Sequence, residues 1–240
     1  MHRLLVPSET LTASAPAIPA DAVRHLRVLR PDPGEEIELF DGRGASRVYA
    51  WDGAALTAAR PVETAVRDAN SSLTLFACVT KGSRWDWTIE KSVELGVTRI
   101  VPVISARTIV RIPKAERVQK RLRWQRIAED AARQSGAKFL PEILDAVDFN
   151  DALPMVRETR CFVGALVSPP ARPLAAAIGA ETSGDLSVFI GPEGDFSPEE
   201  LSALLGIATP TSFGPTVLRA ETAAIFAVSV VSALRLRKGV

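Results

Sequence analysis

The stretch whose reading decides the fold is LSVFIGPEGDFSPEE, residues Leu186–Glu200. Leu186–Ile190 reads as a strand, after which Gly191, Pro192, Glu193, Gly194 and Asp195 turn the chain. Glycine permits close backbone approach and positive φ, and Pro192 stiffens the turn. Ser197 stands where an N-cap belongs, Pro198 takes the first helical position, and Glu200 follows the cap by three residues, which completes a capping box. Strand, glycine turn and helix in that order put the turn at the carboxyl end of a parallel strand, where open α/β sheets bind ligands. Taken alone, it could equally be an ordinary glycine turn.

A second stretch, FGPTVLRAET (Phe213–Thr222), repeats the arrangement. It leaves a strand through Phe213, Gly214 and Pro215 and enters a helix with Glu221 and Thr222 in its first turn. Arg219 and Glu221 flank the mouth of an apolar helix, where an unpaired charge is costly. They read either as a structural ion pair or as groups facing a ligand. Two glycine-proline loops at strand ends, close together in the chain, favour a shared ligand pocket.

Working outward, residues 73–240 alternate strand and helix. Leu73–Val79, Arg99–Ile104, Arg160–Val167, Leu186–Ile190 and Ile207–Phe213 are strand-like. Trp85–Leu95, Lys114–Ser135, Leu174–Ile178, Pro198–Leu205 and Glu221–Leu236 are helical. This alternation predicts an α/β domain with a mainly parallel sheet. The closing helix has almost no polar face, so it is expected to be buried all round, either as a core helix or beneath a second subunit. Residues 1–70 differ: a short helix over Pro19–Leu29 precedes strand-like runs at Glu36–Phe40, Arg47–Trp51, Ala54–Ala59 and Val62–Val66. The turn signals Asp41-Gly42 and Asp52-Gly53 separate the first three runs, which predicts a small barrel or half-barrel.

Composition excludes several classes. The chain has 240 residues, 47% hydrophobic and 24% charged, within the range of soluble globular domains. No apolar run reaches the ~20 residues of a bilayer span, and MHRLLVPSETL lacks the layout of a signal peptide. No membrane association and a cytoplasmic location are therefore expected. Two cysteines, Cys78 and Cys161, lie in apolar stretches and read as buried thiols, and with only two histidines no metal site is expected. There is no GxGxxG, no GxxxxGK[ST] and no GxSxG, which sets aside dinucleotide, Walker-type and α/β-hydrolase sites.

Net charge is only +1, yet Arg107–Lys138 holds ten Lys/Arg against three Asp/Glu. On the helix Lys114–Ser135, Arg123, Arg126 and Arg133 fall on one side, a stripe that suits either solvent or the phosphates of a nucleic acid.

GPEGDFSPEE (191–200) combined with FGPTVLRAETA (213–223) resembles the RsmE family of 16S rRNA uridine N3-methyltransferases, within the SPOUT superfamily. Further matches are His25 with Val28-Leu29-Arg30, Phe40-Asp41-Gly42, Lys81-Gly82 and Glu90–Val97, so the likeness runs along most of the chain. The family often has glycine where this chain has Asp195, and a basic residue where it has Thr216. The resemblance implies a PUA-like RNA-binding domain over 1–70, a trefoil-knotted methyltransferase domain over 73–240, and a homodimer. It implies S-adenosylmethionine as cofactor and 16S rRNA in the small ribosomal subunit as substrate.

Carried onto this sequence, the cofactor is expected against Ile190, Gly191, Pro192, Glu193 and Gly194, and against Phe213, Gly214, Val217, Leu218, Thr222 and Ala223. Leu166 and Val167 at a third strand end complete that wall. RNA contacts are expected from Arg3, His25, Arg27, Arg30, Arg123, Arg126 and Arg133. Uracil N3 must lose a proton, and two routes fit. Arg219, or Arg30 or Arg3 from the N-terminal part, could stabilise charge developing on the uracil oxygens, or Glu221 could act as general base. The rival readings are a SPOUT ribose 2'-O-methyltransferase and a non-catalytic RNA-binding protein that retains the fold.

Overall fold

A computed structural model describes residues 1–67, 71–156 and 159–236, apart from the side chains of Asp21 and Arg27. The chain divides into two compact units: Met1–Arg67 with Glu129–Leu140, and the described residues of Asp68–Ala128 with Pro141–Val240.

The first unit is built on β1 (His2–Leu5), a 3₁₀ turn (Ser8–Thr12), α1 (Ala20–Leu29), β2 (Glu36–Phe40), β3 (Ala45–Trp51), β4 (Leu56–Ala58) and β5 (Glu63–Thr64). Its five strands run in the order β1-β2-β3-β4, with β5 also on β3. β1 is parallel to β2, and the other pairs are antiparallel. Among the described residues no pairing joins β1 to β4; the sequence allowed either a small barrel or a half-barrel. β1 went unread because four residues, HRLL, show no periodicity. Leu4, Ile37, Leu39, Tyr49, Leu26 and Leu11 form the core between sheet and helix.

The Phe40-Asp41-Gly42 turn has a specific task in this unit. Asp41 Oδ1 accepts hydrogen bonds from the backbone N–H of Arg43 (2.8 Å) and Ala45 (3.0 Å). Gly42 has φ of 69°, and a Cβ there would lie 2.6 Å from the side chain of Leu140. Backbone bonds from Leu140 to Gly42 (2.8 Å) and from Gly44 to Lys138 (3.0 Å) fasten the distant segment onto this turn.

The second unit contains β6 (Leu73–Cys78), α2 (Ser83–Glu94), β7 (Arg99–Ile104), α3 (Lys114–Ser135), β8 (Glu142–Ile143), β9 (Val147–Asp148), α4 (Phe149–Ala152), a 3₁₀ turn (Leu153–Val156), β10 (Arg160–Gly164), α5 (Leu174–Ile178), β11 (Leu186–Ile190), α6 (Pro198–Leu205), β12 (Thr209–Thr211) and α7 (Ala220–Leu236). The last turns of α3 belong to the first unit. The sheet order is β12-β10-β11-β6-β7-β8, with β9 also on β7, and every one of these pairings is parallel. The fold is α/β with a mostly parallel sheet, as the alternation of elements predicts. β6 and β11 are buried along their whole length, which explains their continuous apolar runs. Phe76 and Phe189 stack across them with ring centroids 4.5 Å apart.

Two strands are shorter than the sequence suggests. β10 ends at Gly164 rather than Val167. β12 covers Thr209–Thr211 rather than Ile207–Phe213, because Ser212 exchanges backbone bonds with Arg172 (2.9 Å) and Leu174 (3.1 Å) at the entry to α5. For the closing helix, the core-helix alternative is not met within the chain. α7 packs on α2, α5, β6 and β11 through Ala223, Ala224, Ala227, Val228 and Val231. Phe226, Ala233 and Leu236 are exposed and Ile225 and Val230 half-buried, so within one chain the helix is not surrounded. No helix among the described residues is long and apolar enough to cross a membrane.

Candidate active site

β11 delivers Gly191–Asp195 to the carboxyl edge of the sheet. Asp195 N–H bonds to the Pro192 carbonyl at 2.9 Å, closing a tight turn. Asp195 holds φ at 62°, a left-handed conformation that glycine adopts freely and aspartate tolerates. Its Oδ1 accepts from Phe196 N–H at 2.8 Å. α6 then begins with a complete capping box: Glu200 N–H donates to Ser197 Oγ (3.2 Å), and Ser197 N–H donates to Glu200 Oε2 (3.0 Å). The other Glu200 oxygen accepts from Ala106 N–H at 2.7 Å.

The chain segments leaving β10, β11 and β12 meet around one cavity of about 310 Å³. Gly164, Ala165 and Leu166 form one wall, Ile190–Glu193 and Asp195 a second, and Thr211–Gly214 with Thr216–Ala220 and Ala223 the third. Three strand ends of a parallel sheet thus share a crevice of the size and place where such folds take small ligands. Gly164 is required by packing: a Cβ there would lie 2.4 Å from the ring of Phe213. That ring packs in turn on Phe226 of α7, centroids 5.5 Å apart. Leu166 and Val217 are 69% and 76% exposed, apolar side chains left uncovered on the cavity wall.

Of the residues expected at the cofactor, Leu166, Ile190, Gly191, Pro192, Glu193, Phe213, Gly214, Val217, Leu218 and Ala223 come together here. Val167, Gly194 and Thr222 are not among the lining residues. β10 ends too early to carry Val167 inward, and Thr222 lines a neighbouring cavity with Glu221, Ser83, Arg84, Asp86, Trp87 and Glu90. Sequence reasoning missed Gly164, Thr211 and Ser212, although a glycine at a strand end was a usable signal for the first.

Arg219 is exposed and lines the cavity, while Glu221 is buried with its Oε2 lacking a hydrogen-bond partner. No ion pair joins the two among the described residues, so the structural pairing entertained from the sequence is absent. Two tethers reach the turn from outside: Arg84 Nη1 lies 3.0 Å from Glu193 Oε1, and Arg107 Nη1 donates to the Gly194 carbonyl at 2.9 Å. Glu199, at the start of α6, is held below the usual carboxylate range chiefly by the Ser197 hydroxyl and its own backbone N–H, with a smaller contribution from Arg107.

The residues expected at RNA have varied fates. Arg3 is bound within its own unit: Nε pairs with Glu38 (2.7 Å), Nη1 donates to the Ala132 carbonyl (2.7 Å), and the guanidinium lies over Phe40. That is a structural role, not a free phosphate ligand. His25 has its pKa lowered by burial first, then by Arg133 and His2. Arg30 is exposed and caps α1 with φ of 49°. The Arg27 side chain lies outside the described residues. On α3, Arg123 makes a bidentate pair with Asp86, and Arg133 pairs with Asp130. Arg117 and Arg121 pair with Asp148 (2.6 Å) and Asp145 (2.9 Å). Arg126 alone of the expected stripe is exposed with no ion pair among the described residues. Three carboxylates from elsewhere in the chain, Asp86, Asp145 and Asp148, therefore offset part of the +7 of this segment. Among the described residues no group of three His, Cys, Asp or Glu side chains could hold a metal ion.

Comparison with known proteins places this architecture in a class. Residues 67–232 match the model of the RNA methyltransferase domain, which covers the second unit and its cavity. The chain is 32% identical over 225 residues to the ribosomal RNA small subunit methyltransferase E of Mycobacterium bovis, covering 91% of this chain and 84% of that one. It is 31% identical over 158 residues to the Bacillus subtilis protein of the same name, a match spanning 63% of this chain and only 62% of that relative. The crystal structure of a ribosomal RNA small subunit methyltransferase E from Neisseria gonorrhoeae bound to S-adenosyl methionine superimposes with a TM-score of 0.83 at 30% identity, covering 98% of both chains. The chain belongs to the ribosomal RNA small subunit methyltransferase E family.

Proposed function

We propose that this chain methylates N3 of a specific uridine in small-subunit (16S) rRNA, with S-adenosylmethionine as methyl donor. The observation that carries the reading is the cavity formed by three strand-end loops, in a chain whose family relative binds that molecule. The residues fit such a ligand. Leu166, Ile190, Phe213, Val217, Leu218 and Ala223 offer apolar surface to an adenosyl group, and the turn around Gly191 offers backbone polar groups without a Cβ. The cofactor supplies a methyl group on a sulfonium, an electrophile that needs in-line positioning more than covalent help. Positioning can provide effective molarities of about 10⁵–10⁸ M.

Arg219, exposed on the cavity wall, stabilises negative charge developing on the uracil oxygens as N3 loses its proton. Glu221 is less suited to remove that proton, because it is buried and lines the neighbouring cavity instead. N3 lies on the pairing edge, so the uridine is unpaired or extruded when it reacts. Residues 1–70 serve as a PUA-like RNA-binding domain and residues 73–240 as a trefoil-knotted methyltransferase domain. Arg30 and Arg126 are the exposed arginines best placed to contact phosphate. The exposed apolar residues of α7, Phe226 and Leu236 with half-buried Ile225 and Val230, form part of a homodimer interface. The enzyme works in the cytoplasm, where ribosomal subunits are made.

Calorimetric titration with S-adenosylmethionine tests the cofactor directly. Saturable one-site binding is expected, and absence of binding favours a non-catalytic RNA-binding protein. Arg219→Ala is expected to lower kcat by about 10²–10³-fold, as for removal of one oxyanion donor, with cofactor affinity kept. Full activity in that variant excludes charge stabilisation by Arg219.

A further inference from the structure

We infer that Arg84 and Arg107 are positioning residues that clamp the Gly191–Asp195 turn in its cofactor-binding shape. The inference rests on the proposed use of the cavity for S-adenosylmethionine. The turn projects from the end of β11 with one internal backbone bond, Asp195 to Pro192. Two glycines and a left-handed residue within it leave much conformational freedom to be lost on ordering. The turn is held by groups from α2, which follows the adjacent strand β6, and from the loop after β7, the next strand beyond β6. Arg84, in the first turn of α2, pairs with the Glu193 carboxylate at 3.0 Å. Arg107, in the loop after β7, donates to the Gly194 carbonyl at 2.9 Å and lays its stem against Gly194, where a Cβ would be 3.6 Å from the Arg107 Cβ. Glu193 itself lines the cavity, and Gly194 directly precedes the lining residue Asp195.

Both tethers are accessible to water, with Arg84 and Glu193 side chains 44% and 31% exposed. Exposed pairs of this kind add little to global stability. Their effect is local: they fix where the backbone of Glu193 and Gly194 stands, and hence the shape of one cavity wall. Removing either lets the turn sample shapes that do not bind, which lowers apparent affinity in proportion to the competent fraction.

The test compares wild type with Arg84→Met, Arg107→Met, the double variant and Arg84→Lys. Each is measured by calorimetry with S-adenosylmethionine, by thermal melting, by amide exchange of the cofactor-free protein, and by KM for cofactor and RNA. Each single Met variant is expected to weaken cofactor binding about threefold to tenfold, the size of one ordinary net hydrogen bond. Melting temperature and KM for RNA are expected to stay at wild-type values, exchange at 191–195 to accelerate, and Arg84→Lys to recover part of the loss. Unchanged cofactor affinity together with unchanged exchange overturns the clamp. So does a loss of affinity matched by loss of melting temperature and of RNA affinity, which marks general destabilisation. A wild type that binds no S-adenosylmethionine, with exchange still faster in the variants, overturns the proposed function and leaves the clamp standing.

Discussion

Asp195 holds its backbone at φ 62° at the end of the Gly191–Asp195 turn. A side chain in that region costs roughly 1 kcal/mol relative to glycine, and the Asp195 carboxylate offsets part of this by accepting the Phe196 N–H. Asp195→Gly should therefore melt at or above wild type and Asp195→Ala below it; the reverse order contradicts the strain argument. Gly164 gives a sharper case. A methyl group 2.4 Å from the Phe213 ring must displace it, so Gly164→Ala should destabilise by about 1–3 kcal/mol, as overpacking does, and weaken S-adenosylmethionine binding at least about tenfold. Burial pushes the Cys78 and Cys161 thiols up to about 11, so neither should react with a thiol reagent at pH 8 until the protein is unfolded. His25 titrates below its ordinary value of 6.5, mainly through burial. The unfolded chain then binds more protons, so its contribution to stability is lost as pH falls through the window below 6.5. His25→Gln should flatten that part of the acid limb in thermal melts. At this scale the sequence was legible where chemistry is local. Gly191 and Glu193 announced themselves through a turn, whereas Arg84 and Arg107 reach the same turn from 109 and 87 residues away and carry no local signal.

Elements with strong start and stop signals were read closely. α6 begins at Pro198 because Ser197 and Glu200 cap it reciprocally. Ser197→Ala should cost about 1 kcal/mol, measured by denaturant unfolding, and an unchanged midpoint excludes the cap as a stabilising feature. Elements without such signals went unread: β8 and β9 have two residues each, too few to show a period of two. α3 stands where the sequence places it, and part of its charge is met within the fold. Arg123, Arg126 and Arg133 form a stripe in sequence, yet Arg123 is met by Asp86 from α2 and Arg133 by Asp130, and the neighbouring Arg117 and Arg121 are met by Asp148 and Asp145. Charge counted along a helix misses what the fold brings to it. α7 errs in the opposite sense, since its all-round apolar character is covered on only one side within the chain. Leu236→Glu places a charge on the uncovered side and should convert the proposed dimer to a folded monomer in sedimentation experiments; a variant that sediments as wild type excludes that face as the interface.

At the scale of the molecule, a parallel sheet ordered β12-β10-β11-β6-β7-β8 brings three loops to one edge. The alternation of strands and helices foretold the parallel sheet, but no periodicity could foretell that order. Nor did it foretell that Glu129–Leu140 would pack with Met1–Arg67, because Gly42 and Leu140 meet across nearly a hundred residues. The sheet explains why the two glycine-proline stretches form one cavity. The central claim is the product. Small ribosomal subunits lacking the modification should be incubated with the protein and isotopically labelled S-adenosylmethionine, and the digested nucleosides resolved by mass spectrometry. The account predicts label in 3-methyluridine at a single position of the small-subunit rRNA, lost in Arg219→Ala. Label in a 2'-O-methylated nucleoside, or no transfer to RNA by a protein that binds the cofactor, would contradict it.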